Sequence, residues 1–173
     1  MRKLENNFAF IDCQNIYLGI LELGWKIDWK RFRVYLAEKY AVKKAFLFLG
    51  FLESNQGFYR KLREFGFEMI FKEVLRDRNG KIKGNCDAEL VLQTMIELEN
   101  FDRAVIVSGD GDFACLVRFL SEKEKLRKVL VPDPKRFSAL LKRAAGKQLE
   151  PLDLLRGTLS TSEKPRRARE AFQ

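Results

Sequence analysis

Ala104-Val105-Ile106-Val107-Ser108-Gly109-Asp110-Gly111-Asp112-Phe113 sets four apolar residues, three of them β-branched, directly before a glycine-bearing turn that carries two carboxylates. A short continuous apolar run of this kind reads as a strand buried on both faces. Ser108, Gly109 and Gly111 are turn formers, and residues 113–120 resume with apolar side chains at helical spacing, so the chain reads strand, turn, helix. Asp110 and Asp112 then stand just beyond the carboxyl end of a strand, where open α/β sheets place their ligands. Two carboxylates this close repel each other unless a cation or a proton lies between them, which points to a divalent metal. Turn and helix-capping roles for Asp110 and Asp112 fit the same fragment equally well. An EF-hand does not fit: the loop lacks the alternating oxygen ligands, and the position that needs a closing Glu is Ser121.

The same arrangement recurs near the start of the chain. Residues 8–12 form an apolar run ending in Asp12; Asn15 follows, then apolar residues at helical spacing until Gly24. Asp12 is thereby a third carboxylate at a strand end, with Asn15 placed to orient it, to hold a phosphate oxygen or to cap the helix. Asp28 is a suitable cap for a helix over 29–39 whose Trp29, Phe32 and Leu36 share a core face. A buried strand over 45–51, a helix begun by Ser54 or Asn55 and ended by Gly66, and a strand over 67–71 follow.

From 72 to 84 the chain turns polar, and a small hairpin around residues 77–81 is expected. Its Arg76, Arg78, Lys81 and Lys83 form either a basic flap suited to a phosphate backbone or an ordinary exposed turn. Asp87 opens the next helix, where the dipole favours an anion even without metal. Glu89, about 200° further round that helix, faces elsewhere. Residues 128–131 make a fifth strand and 138–145 a short basic helix. The domain is expected over 1–155, with 156–173 as a flexible basic tail whose Arg166 and Arg167 suit nonspecific nucleic-acid contact.

The 173 residues, 46% of them hydrophobic, suffice for one domain with a proper core. Lys and Arg number 33 against 24 acidic residues, a net charge of +9, the electrostatic footprint of a protein that meets polyanions, nucleic acid first. The chain has no histidine, which removes Ser-His-Asp and Cys-His pairs and His-ligated zinc. Cys13, Cys86 and Cys115 lie in no metal-type spacing and read as reduced thiols. No apolar run approaches the ~20 residues a bilayer needs, and the start lacks a secretory pattern, so a cytoplasmic location is expected.

Five apolar strands alternating with helices argue an α/β fold with a mainly parallel sheet covered on both faces. The strand-end loops of such a sheet converge at one edge, where Asp12, Asp87, Asp110 and Asp112 can meet. Carboxylates without histidine are hard oxygen ligands for Mg2+ or Mn2+, and the matching chemistry in a basic chain is phosphodiester hydrolysis.

Residues 10–17 (Phe-Ile-Asp-Cys-Gln-Asn-Ile-Tyr), 83–90 (Lys-Gly-Asn-Cys-Asp-Ala-Glu-Leu) and 106–113 (Ile-Val-Ser-Gly-Asp-Gly-Asp-Phe) resemble, in order and spacing, the three signature blocks of the NYN domain family. The likeness is to its LabA-like branch, related to PIN-domain ribonucleases, and spans most of residues 8 to about 150. It implies a PIN-like three-layer α/β sandwich with a central sheet of about five strands. It further implies a metal-dependent endoribonuclease site in which Asp12, Asp87, Asp110 and Asp112 are the metal-binding or catalytic carboxylates and Asn15 and Ser108 their polar supports. The expected partners are Mg2+ or Mn2+ and RNA, single-stranded; a homodimer is compatible with the sequence. One departure bears on a second metal: family members often carry another strand and an acidic or polar residue near the last helix, where this chain has Lys142-Arg143-Ala144-Ala145-Gly146. The competing function is a noncatalytic RNA-binding or regulatory module that retains the acidic pocket. A phosphatase is less fitting, because the haloacid dehalogenase motif that Asp-Gly-Asp-Phe loosely resembles follows a first strand, not a fourth.

Overall fold

Alternation along the strands decides the layering. In β1 (Asn7–Asp12), Ala9 and Ile11 turn to one face of the sheet and Phe8 and Phe10 to the other, and all four are buried. A strand with no solvated face requires helices on both sides. The computed structural model describes residues 5–72, 75–76, 82–83 and 86–161 and shows that arrangement.

After β1 come α1 (Cys13–Glu22), α2 (Trp29–Tyr40), β2 (Val42–Gly50), α3 (Gln56–Glu64) and β3 (Glu68–Lys72). A hairpin of β4 (Leu75–Arg76) and β5 (Ile82–Lys83) leads to α4 (Asp87–Ile96) and β6 (Ala104–Val107). The chain continues with α5 (Ala114–Glu122), β7 (Leu126–Val131), α6 (Ala139–Ala145), β8 (Leu149–Pro151) and α7 (Arg156–Leu159). The main sheet has the order β3-β2-β1-β6-β7-β8, with every neighbouring pair parallel. On one face, Ile16, Ile20, Trp29, Phe32, Leu36, Leu62 and Leu159 pack over Ile11, Leu47 and Val107. On the other, Leu90, Leu116, Val117, Leu120 and Leu141 pack over Phe10, Phe48, Ile106 and Val129.

The result is the expected three-layer α/β sandwich, with six strands in place of five. The sixth, β8, carries a glutamate and a proline in three residues and so has no apolar run to announce it. At a sheet edge neither is a penalty, because the missing proline N–H costs no ladder bond there. β2 also begins earlier than its apolar run, through the exposed Lys43 and Lys44. The expected hairpin forms, with Arg76 and Lys83 on its two strands; Arg78, Lys81, Arg166 and Arg167 lie outside the described residues. The segment expected as a tail from residue 156 is packed as far as Thr161. Leu159 is buried in the core, its carbonyl accepts from the Asp28 N–H at 2.8 Å, and Ser160 bridges to Ile27. No described helix is long and apolar enough to cross a membrane.

Candidate functional site

The chain fills the sheet in one direction from β1 to β3 and in the other from β6 to β8, so the order reverses between β1 and β6. Loops leaving the carboxyl ends of two such strands part to opposite faces and open a crevice between them. Ile11 and Val107 are the last paired residues of the two strands, which brings Asp12 and Ser108 side by side at the mouth of that crevice.

Asp12 caps α1 as it ends β1. Its Oδ1 accepts from the Asn15 N–H at 3.1 Å and its Oδ2 from the Ser108 hydroxyl at 3.2 Å. The buried Ser108 Oγ in turn accepts from the Asp110 N–H at 3.1 Å, tying the loop after β6 to the end of β1. Asn15 makes a second tie: its side-chain oxygen accepts from the Gly109 N–H at 2.8 Å. Asp110 caps the short turn Gly111–Phe113, its Oδ1 accepting from the Asp112 N–H at 3.0 Å. Capping is therefore a real role here, but it falls to Asp12, where the sequence offered it to Asn15, and to Asp110, whose oxygen meets the N–H of Asp112; each leaves further carboxylate lone pairs for a ligand. Gly111 lies so close to α6 that a Cβ there would collide with the side chain of Ser138, the cap of that helix.

Asp87, Asp110 and Asp112 each offer a carboxylate oxygen, and the three lie within 4.8 Å of one another. One comes from the first turn of α4 and two from the loop after β6, so folding gathers residues far apart in sequence. Asp12 stands outside this trio but close enough to feel the charges of Asp87 and Asp110. Burial is the larger influence on it; together these raise its pKa from 3.8 to about 6, against the opposing hydrogen bonds from Asn15 and Ser108. The two thiols beside the aspartates are held protonated: burial first, then Glu89 and Asp12, pushes Cys86 up to about 11, and burial raises Cys13 as well. The anionic groups of the site are its carboxylates.

Hard oxygen donors at this separation suit a divalent cation such as Mg2+. Among the described residues no Lys or Arg forms an ion pair with Asp110 or Asp112, so their charge is not already neutralised from within the protein. Glu89 is not one of the trio and pairs with Lys72 at 3.3 Å. Nothing in the sequence singles out Lys72, the first residue of the polar stretch, except its place at the end of β3. Nor does local spacing show that Ser138, besides starting a helix, seats α6 against the aspartate loop, where Ser138 N–H donates to Gly109 O at 3.2 Å.

Comparison with known proteins agrees with this architecture. Residues 8–152 match the NYN domain, whose fold is of the PIN-like nuclease type. The chain is 28% identical to the low amplitude and bright protein LabA of Synechococcus elongatus over 125 residues, 66% of this chain and 67% of that protein. A crystal structure of a protein of unknown function from Vibrio parahaemolyticus superposes with a TM-score of 0.74 at 26% identity, covering 93% of this chain and 99% of that one. The matched span takes in both strand ends, the Asp87 helix and the loop of Asp110 and Asp112, and on that ground this chain belongs to the NYN domain family.

Proposed function

We propose that the chain is a metal-dependent ribonuclease that hydrolyses phosphodiester bonds in RNA at the crevice between β1 and β6. The observation that carries this is the carboxylate trio Asp87, Asp110 and Asp112, with oxygens within 4.8 Å of one another. The basic net charge of +9 and the absence of histidine support it, since they favour a polyanionic substrate and leave hydrolysis to carboxylates and metal.

Mg2+ or Mn2+ held by the trio would supply positive charge to the scissile phosphate and make an attacking water easier to deprotonate. Asp110 and Asp112 are fixed by the loop's own hydrogen bonds and Asp87 by the helix it opens, so the three ligands come from two separately anchored elements. Asp12 is the residue that takes up the proton. Its pKa of about 6 makes it a base near neutral pH, and Ser108 and Asn15 hold its carboxylate in place. The test is a time course on labelled single-stranded and structured RNA with Mn2+, with Mg2+ and with chelator, comparing wild type and Asp110→Asn. Cleavage that needs the ion and disappears in the variant is the expected result. RNA binding with no turnover under either ion identifies a noncatalytic RNA-binding module instead, and cleavage undiminished in Asp110→Asn removes this site from consideration.

A further inference from the structure

α5 and α6 lie side by side, and on their solvent side they leave an open groove of about 430 Å³ lined by Arg118, Ser121, Glu122, Leu140, Arg143 and Ala144. Helical spacing makes it. Arg118, Ser121 and Glu122 form one stripe of α5 and Leu140, Arg143 and Ala144 one stripe of α6, while Leu120, Leu141 and Ala145 turn inward to the core. Leu140 is 54% exposed, a large apolar side chain left facing a groove with cations on both walls. Arg118 and Arg143 are exposed and form no ion pair or hydrogen bond among the described residues. Lys39, Lys72, Lys128 and Arg136, by contrast, are each taken up by a glutamate. Glu122 is the single acidic group of the lining, so two guanidinium groups outweigh it.

The groove lies between the two helices that begin at the site already described. α5 follows directly on the turn that carries Asp112, and Ser138 begins α6 against Gly111. Arg118 lies six residues past Asp112, about 9 Å along a helix. At ~3.4 Å per stacked nucleotide, that is two to three nucleotides from the aspartates. A carboxylate cluster repels a phosphate chain, so a strand must gain its electrostatic affinity from cations placed further along its path.

On the ribonuclease reading above, we propose that the groove is a nucleotide subsite for the RNA strand leaving the aspartate crevice. Arg118 and Arg143 clamp one backbone phosphate from opposite walls, a task for which the planar guanidinium is suited. The Ser121 hydroxyl donates to the same phosphate or its ribose, and Leu140 with the Ala144 methyl supports the face of a base.

The experiment measures binding of a labelled single-stranded RNA to the full chain by fluorescence anisotropy, in chelator and over a range of KCl, for wild type, Arg118→Gln and Arg143→Gln. Both side chains are on the surface, and matching melting curves check that the variants fold. Each variant is expected to bind several-fold more weakly, and the slope of log affinity against log salt is expected to become shallower by about 0.7 per cation removed. Lys61→Gln on α3, the same charge loss on the opposite layer, is the control and leaves both quantities unchanged. Affinity and slope equal to wild type in both arginine variants overturn the subsite, even if the protein cleaves RNA. Weakened binding in those variants by a protein that cleaves nothing keeps the subsite and overturns the ribonuclease reading.

Discussion

Asp12 holds its proton up to about pH 6, against an ordinary value of 3.8, because its place at the end of β1 is mostly shielded from water and Asp87 and Asp110 add to the cost of charging it. Between those two values the folded chain binds a proton that the unfolded chain has released, so this residue's contribution to stability declines as pH rises through the window. A shift of this size corresponds to at most about 3 kcal/mol of differential stability. Asp12→Asn keeps an oxygen for the Asn15 N–H and removes the buried charge. In chelator near neutral pH this variant is expected to be more stable than wild type by roughly 1–3 kcal/mol, the advantage disappearing below about pH 4, where both side chains are neutral. Urea titrations at the two pH values check this, and equal stability near neutral pH would contradict the burial argument. The same substitution is expected to lower Mn2+-dependent RNA cleavage by about 10²–10⁴-fold, since it removes the proton acceptor. In wild type, kcat/KM is expected to climb with pH and level off by about 6, the value Asp12 has with no cation beside Asp87 and Asp110.

The meeting of the aspartate loop with α6 depends on a glycine. Gly111 leaves no room for a Cβ beside Ser138, so Gly111→Ala forces α6 or the loop to move. The expected cost is about 1–3 kcal/mol of stability, with lost cleavage because Asp110 and Asp112 move with the loop. Ser138→Gly alone sacrifices a cap whose Oγ accepts from the Leu140 N–H at 3.2 Å, at a cost of only a few tenths of a kcal/mol. In the double variant the collision is gone, so thermal melts should show much of the stability regained; additive losses would place the strain elsewhere. Elements like these differ in how far their residues declare them. The apolar runs of β1 and β6 announce strands buried on both faces, and the aspartates at the end of the first and just beyond the second stand where such a sheet gathers its loops. β8 announces nothing, because it is fixed by contacts from elsewhere: Glu150 is met by Lys39 and Tyr35 of α2 and Lys128 of β7. The link from Asn15 to Gly109 spans 94 residues, and neither local spacing nor propensity contains it. The sequence places four aspartates at one edge; only the fold sets Asp12 behind the other three.

At the scale of the molecule, a chain of net charge +9 concentrates three carboxylates at one crevice, and only the folded chain offers them together to a cation. A cation that binds the folded chain alone must therefore raise its stability, by about 2.7 kcal/mol when its free concentration is a hundred times its dissociation constant. For a domain of this size the midpoint of thermal unfolding is expected to rise by roughly 5–10 °C on saturating Mn2+. Asp112 allows this linkage to be separated from folding. It is the exposed member of the trio, and its backbone N–H, not its side chain, makes the bond to Asp110. Asp112→Asn should melt in chelator within about 1–2 °C of wild type, as surface substitutions do. With a ligand oxygen lost, most of the Mn2+-induced rise should vanish, along with cleavage. Melting curves of the two proteins with and without Mn2+ decide the matter. A rise of equal size in both places the ion somewhere other than the trio, and no rise in wild type means that the carboxylates hold no metal at the concentrations tested.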